Sequence, residues 1–380
     1  MPFAEAAGLN GRNERIGGVG MDGRDRDDNI LDIIRIIATV QVFAGHVIMH
    51  FTPPVPEGHV DAVYFIRGVP ILFVLCGFLS ARSMEGRPAK SWLIGRLARV
   101  LPGFWVCILV NTAIIAVLYP VRPSWKELAV YLVTQFSGLN FYTGSWLRGY
   151  GVGAPNGVLW TIPVQLQFFF LAPLIHRFMH GKSMRSWVMC ISGLTFFSWS
   201  CDLLDGKIPE VLWKLLGVTV APYLYFLVFG MMLWYHRDTV IPKAERFRWL
   251  LLVGYVCWKL CENTFRFPHA LDGVLYNTVT TLLLALLIAA FGFCGKVRFK
   301  RDRTYGFYLY HMVFMNIIVH LEQNSFLPLP LGALRVFGIA FMSFIAAWAS
   351  DRFVETPSAR LISAKLGKRI CPDGKPEESH

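Results

Sequence analysis

Arg35 and His46 stand eleven residues apart in a largely apolar segment, Ile33-Ile34-Arg35-Ile36-Ile37-Ala38-Thr39-Val40-Gln41-Val42-Phe43-Ala44-Gly45-His46. Ionisable side chains inside a bilayer are costly, so each is by default a functional group. At about 100° per residue, a helix returns positions eleven apart to within roughly 20° of each other. A rise of ~1.5 Å per residue separates them by roughly 16 Å along the axis. Both therefore look into one side of the protein, the arginine near a membrane face and the histidine well inside. An imidazole, with an ordinary pKa of about 6.5, takes and returns protons near neutrality. A cation at the water and a base in the interior suit a site that grips an anionic carrier at one end and does chemistry at the other.

A second cluster lies in Ser91-Trp92-Leu93-Ile94-Gly95-Arg96-Leu97-Ala98-Arg99-Val100-Leu101-Pro102. At i,i+3 spacing Arg96 and Arg99 share one helical face, and guanidinium forks match phosphate oxygens. Alone the pair reads as a positive-inside anchor to lipid headgroups. With Arg35 on the same side, an anion clamp beside the membrane is the better reading. Asp32, at i,i+3 from Arg35, offers a structural ion pair as the alternative role for that arginine.

The elements that must carry these residues are membrane helices. The chain has 380 residues, 54% of them hydrophobic and 16% charged, with a mean hydropathy of +0.46. That balance excludes an ordinary soluble domain. The net charge of +12 falls in short loops between apolar segments, which is a topological signal and not one for nucleic acid. Eight cysteines fall mostly singly, and Cys257 and Cys261 lack the His or Cys partners of a metal site. No disulfide and no metal are expected.

Apolar runs long enough to cross about 30 Å of hydrocarbon occur near 33–51, 68–84, 102–120, 158–178, 187–204, 215–235, 249–265, 275–294, 305–321 and 330–350. The expected fold is an all-α integral membrane protein, a polytopic bundle of about ten transmembrane helices with both termini cytoplasmic. Cations in alternate connections support that orientation, among them Arg82, Arg87, Lys90, Lys182, Arg185, Lys243, Lys296, Arg298, Lys300 and Arg301. Residues 1–29 read as a flexible cytoplasmic tail, 30–354 as the membrane domain and 355–380 as a cytoplasmic C-terminal tail. The long outer connection near 121–157, rich in Gly, Tyr, Trp and Asn, reads either as an ordered loop facing a polar acceptor or as a flexible connection with an aromatic belt.

The residues together resemble membrane-bound acyltransferase family 3, which acylates hydroxyl groups of cell-envelope glycans and other molecules, usually with acetyl. The likeness runs from about Ile30 to Arg360. Its most specific element is Arg-x10-His, here Arg35 and His46 after Leu31-Asp32. Gly68 to Leu79, ending Leu72-Phe73-Val74-Leu75-Cys76-Gly77-Phe78-Leu79, is similar to the family's F-F-V-L-S-G-F-L segment, and Arg96 and Arg99 form its Arg-x-x-Arg pair. Leu159-Trp160-Thr161-Ile162-Pro163-Val164-Gln165-Leu166-Gln167-Phe168 matches L-W-S-L-S-V-E-x-Q-F. Tyr305-Gly306-Phe307-Tyr308-Leu309-Tyr310-His311 and Val354-Glu355-Thr356-Pro357-Ser358-Ala359-Arg360 match the two C-terminal signatures. Gln165 departs from the pattern where a glutamate is usual, and an amide neither carries negative charge nor takes a proton.

The resemblance implies acyl-CoA, most simply acetyl-CoA, as donor, with no tightly bound cofactor. Arg35, Arg96 and Arg99 would hold the CoA phosphates while the thioester reaches towards His46, as general base or transient acyl carrier. Trp160, Gln165, Tyr310 and His311 would line the site. The acceptor would be an envelope polysaccharide or lipid-linked glycan, the surroundings membrane lipid, and the location the inner membrane of a bacterium. His50, one turn beyond His46, reads either as lining the outer side of the site or as an interfacial residue, the latter the better reading. The competing classes are a transporter or flippase of a glycan or lipid intermediate, and a catalytically silent relative. Against a transporter, no inverted repeat is visible.

Overall fold

A computed structural model describes residues 30–51, 62–264, 274–293, 297, 303–324 and 332–362, and every regular element among them is helical. In chain order these are α1 (Leu31–His50), α2 (Gly68–Met84), α3 (Ala89–Leu118), α4 (Trp125–Ser137), α5 (Thr161–Met179), α6 (Met184–Asp202) and α7 (Glu210–Gly217). Then follow α8 (Leu224–Tyr235), α9 (Arg237–Arg246), α10 (Arg248–Thr264), α11 (Val274–Phe291), α12 (Thr304–Gln323) and α13 (Gly332–Ser350). A π-turn over Asp351–Glu355 continues α13. The N-terminal tail expected over 1–29 lies outside the described residues, as do Lys296, Arg298, Lys300, Arg301 and the last part of the C-terminal tail.

Among the described residues, five helices are long and apolar enough to cross a membrane: α1, Ala62–Met84, α3, Gly157–Met179 and Gly332–Ile362. A sixth results if α7 and the helix leading into α8 count as one span bent by 49°. The sequence predicts about ten. Helices α6, α10, α11 and α12 occupy the remaining predicted places, but length and composition alone do not qualify them among the described residues. The physical reason is plain in two of them. α10 carries Lys259 and Glu262, and α12 carries His311, Asn316, His320 and Glu322, so their mean apolarity falls even though these groups are turned into the protein.

The centre of the bundle is the crossing of α2 with α8. Residues Tyr225 to Trp234 of α8 are buried on every side, as a helix apolar all round must be. The backbones approach so closely that side chains are excluded at the contact. A Cβ on Gly77 would stand 1.9 Å from the Leu227 carbonyl oxygen, and one on Gly230 would stand 2.0 Å from that of Val74. Small residues at helix crossings serve this purpose in membranes. α1 is held to the start of α2 by the Gly68 N–H, which donates to Gln41 Oε1 at 2.6 Å.

The stretch expected as a long outer connection is ordered. It holds α4, whose first turn is closed by a capping box between Ser124 and Glu127, and two 3-10 turns, Ser145–Leu147 and Gly157–Trp160. Asn316 of α12 locks the segment between them. Its Oδ1 accepts the Val152 N–H at 2.9 Å, and its Nδ2 donates to the carbonyls of Ala154 at 2.9 Å and Pro155 at 3.0 Å. Asn111 of α3 donates to the same Pro155 carbonyl at 2.8 Å.

The α2–α8 crossing makes a direct prediction. Gly77→Ala forces the two backbones apart and costs about 1–3 kcal/mol, whereas Gly95→Ala, which meets open space, leaves stability level or raises it by up to about 1 kcal/mol. Thermal unfolding of the two variants in detergent checks this. A Gly77→Ala protein that melts with the parent would mean that the two helices do not meet as described.

Candidate active site

Five helices enclose a cavity of about 170 Å³. α1 contributes Arg35 and Thr39, α2 Phe73 and Cys76, α3 Arg96 and Arg99, α5 Thr161 and Gln165, and α12 Tyr305 and Tyr308. Four residues singled out in the sequence from three separate segments, the three arginines and Gln165, thus meet in one space. The rest of the lining is largely apolar, including Val69, Leu72, Leu75, Ile162 and Phe169. Cations in apolar walls attract anions strongly, because little water screens them.

The three arginines are held differently. Arg35 lies 3.5 Å from the Asp32 carboxylate, so the ion pair weighed in the sequence forms while the same guanidinium lines the cavity. Arg96 is half-buried and anchored. It donates to the Leu79 carbonyl at 2.7 Å and to Ser83 Oγ, and its guanidinium lies over the rings of Trp92 at 5.6 Å and Phe169 at 5.8 Å. Arg99, one helical turn on, is exposed at the rim. Pro102, just beyond, removes one backbone hydrogen bond from α3. Tyr305 donates to the Val100 carbonyl at 2.7 Å beside that break. Tyr305 and Glu355 also press together on Gly103, so two distant C-terminal motifs brace the wall that carries Arg96 and Arg99.

Gln165 reaches across to α2 and donates from Nε2 to Cys76 Sγ at 3.3 Å. At the next turn of α5 towards its N-terminus, Thr161 Oγ1 and the Tyr308 hydroxyl are 3.0 Å apart. The start of α5 is fixed by Asn156, whose Oδ1 accepts the Val158 N–H and whose Nδ2 donates to the Leu309 carbonyl at 2.9 Å. A side-chain cap to the 3-10 turn Gly157–Trp160 that leads into α5, and a tether to α12, in one residue set the distance between Thr161 and Tyr308.

The histidines form a second cluster that adjoins this wall. His311 is completely buried, with the Tyr308 ring 6.0 Å away on one side and His46 5.4 Å away on another, centroid to centroid. His50 stacks on His46 at 5.7 Å with the planes 8° apart. Phe43 and Phe307 pack on His311. His46 and His311 do not line the cavity itself; Tyr308 stands between them and it. Trp160 packs on Phe73 and Tyr223 behind the cavity wall, and Tyr310 is buried on α12 away from the lining.

Several residues of the site escaped the sequence reading. Tyr308, two positions before Tyr310 in the same motif, faces the cavity, and a helical wheel anchored on His311 would have favoured it at i,i+3. Cys76 occupies the place of the serine in the resembled second segment and touches Gln165, the other departure from the pattern. His50, for which the sequence left lining the site or sitting at the interface open, stacks on His46, as their i,i+4 spacing allows.

The sequence pattern of the acyltransferase-3 family, described as an acyltransferase domain, matches residues 28–352. Nodulation protein 10 of Rhizobium leguminosarum bv. viciae is 24% identical over 371 residues, covering 90% of this chain and 96% of that protein. Regulator of hypoxia-inducible factor 1 of Caenorhabditis elegans is 23% identical over 351 residues, covering 78% of this chain and 69% of its own. No solved structure matches the chain. The family pattern covers nearly all of the helical bundle and every residue of the cavity, and the chain belongs to the acyltransferase-3 family.

Proposed function

We propose that this protein is an integral membrane O-acyltransferase that moves an acyl group, most simply acetyl, from cytoplasmic acyl-CoA to a hydroxyl of an envelope polysaccharide or lipid-linked glycan. The observation that carries the reading is the single cavity that gathers Arg35, Arg96, Arg99 and Gln165, with its Thr161–Tyr308 wall backing onto the His311–His46 pair. The arginines grip the CoA phosphates. The pantetheine arm runs inward, which the span of roughly 16 Å along α1 between Arg35 and His46 accommodates. His46 takes the proton of the acceptor hydroxyl as its oxygen bonds to the thioester carbonyl carbon. The carbon–sulfur bond breaks, and the imidazolium returns the proton to the departing CoA thiolate. The bundle sits in a bacterial inner membrane with about ten spans and both termini cytoplasmic.

The first test follows label from acetyl-CoA into the lipid and glycan fractions of membranes carrying the parent chain, His46→Ala or Gln165→Glu. The parent incorporates label, and His46→Ala loses at least about 100-fold of the rate, the usual weight of a general base. A Gln165→Glu protein that is faster than the parent shows that the amide limits the reaction. Transfer undiminished in His46→Ala overturns the role of the histidine. No incorporation by the parent, with acetyl-, succinyl- and longer acyl-CoA all tried, overturns the acyltransferase reading in favour of a transporter or a silent relative.

The different anchoring of the two α3 arginines gives a second test. Arg99→Ala raises the KM for acetyl-CoA about tenfold, the loss of one charge-assisted contact, with stability within about 0.5 kcal/mol of the parent. Arg96→Ala weakens the donor as well but also costs about 1–3 kcal/mol, because its hydrogen bonds to the Leu79 carbonyl and Ser83 Oγ and its packing on Trp92 and Phe169 are all lost. KM measurements paired with thermal unfolding separate the two, and an Arg96→Ala protein of parental stability contradicts the anchoring.

A further inference from the structure

His311 is a buried histidine that the transfer step above leaves without a task. Its Nδ1 lies 3.3 Å from the Phe307 carbonyl oxygen. A carbonyl only accepts, so Nδ1 carries the proton and Nε2 of the neutral ring presents a lone pair. That Nε2 is buried and has no hydrogen-bond partner among the described residues. The same holds for His46 Nδ1, on the ring 5.4 Å from His311 and tilted 45° to it. One nitrogen that needs a donor and one that is able to carry a hydrogen thus lie on neighbouring rings, with Phe43 and Phe307 packed on His311. Ring centroids 5.4 Å apart leave room for a nitrogen–nitrogen hydrogen bond of about 3 Å when those two edges face each other.

We infer that His311 is the positioning residue of His46: its Nε2 accepts the His46 Nδ1–H, so that His46 Nε2 is the lone pair aimed at the acceptor hydroxyl. The inference rests on the acyltransferase reading for its purpose but not for its geometry. In a general base, the nitrogen that faces substrate is basic only if the other keeps the proton, and a second group holding that proton fixes both tautomer and ring angle. A carboxylate often fills this place. Gln165 offers no charge and is engaged with Cys76, whereas His311 is adjacent and correctly protonated. His50, stacked flat on His46, holds the ring by its face and leaves the edge for His311. Tyr64, whose hydroxyl meets the Gly45 carbonyl at 3.5 Å, packs beside the same turn of α1.

The experiment uses the full chain with His311→Phe, which keeps a ring but no acceptor, and His311→Gln, whose amide oxygen is able to accept the same Nδ1–H. Label transfer from acetyl-CoA is measured in membranes, and the histidine rings are followed by ¹⁵N NMR in detergent. In His311→Phe the rate at saturating acetyl-CoA falls at least about 100-fold, while the KM for acetyl-CoA stays within threefold. His311→Gln is at least tenfold faster than His311→Phe. In the spectra, His46 is a single Nδ1–H tautomer in the parent and a mixture in His311→Phe. A His311→Phe protein within threefold of the parental rate, a glutamine variant no better than phenylalanine, or a His46 tautomer indifferent to His311 each overturns the inference. If the parent itself transfers nothing, the acyltransferase reading fails on that arm alone, and the NMR arm still decides whether His311 sets the tautomer of His46.

Discussion

A hydrocarbon interior gives polar groups no water to turn to, and that constraint organises most of this protein. Charged side chains below the surface are tied to one another across the bundle. Arg335 of α13 meets Glu322 of α12 at 3.1 Å, with its guanidinium 4.2 Å over the Phe51 ring. Lys259 pairs with Glu262 on α10, and Glu262 in turn holds Arg67 at 2.9 Å just before α2. Asn316, fully buried, distributes its amide among Val152, Ala154 and Pro155. The Arg67–Glu262 and Asn316 ties join segments distant in sequence, and Arg335–Glu322 joins the neighbouring helices α12 and α13. Groups that would be costly alone become the cross-links that fix how the helices stand, because removing either partner leaves the other buried and unpaired.

The cavity inherits its shape from that framework and from the α2–α8 crossing. Gly77 sits directly after Cys76, so the close approach that fixes the glycine also fixes the thiol beside Gln165. The Leu79 carbonyl, half a turn further, holds Arg96. One backbone contact deep in the protein therefore sets both an anion-binding group and the polar pair opposite it. Two of the departures from the resembled pattern, cysteine for serine and glutamine for glutamate, are neighbours in space. A hydroxyl beside a carboxylate is a strong, charged hydrogen-bonding pair, and a thiol beside an amide is a weak, neutral one.

What was legible in the sequence was whatever depends on local periodicity. The eleven-residue interval on α1 and the three-residue interval on α3 put Arg35, Arg96 and Arg99 on faces that converge, and helices stand at each of the apolar runs. The family resemblance supplied the link between distant segments that periodicity cannot give. Three things stayed hidden for physical reasons. Which tyrosine of Tyr305-Gly306-Phe307-Tyr308-Leu309-Tyr310 faces the cavity depends on how α12 is rotated, and only its packing on α1, α3 and α13 settles that. The order within 138–157 comes from Asn111 and Asn316, donors and acceptors on other helices that leave no local mark. The number of spans blurred because α10 and α12 point their polar groups inward, and hydropathy averages do not distinguish an inward charge from an exposed one.

The proton economy of the proposed reaction fits so enclosed a base. The proton taken from the acceptor hydroxyl returns to the CoA thiolate, so the transfer is neutral overall and needs no proton path to either membrane face. A proton-driven transporter needs the opposite, a chain of titratable groups open to water at both ends. His311 is instead fully buried against Phe43 and Phe307, with the half-buried His46 beside it and His50 stacked on His46, and in the proposed reaction the imidazolium of His46 needs only to hand its proton back to the leaving thiolate. Burial that would hinder a relay helps a base that must keep its proton only for the lifetime of one transfer.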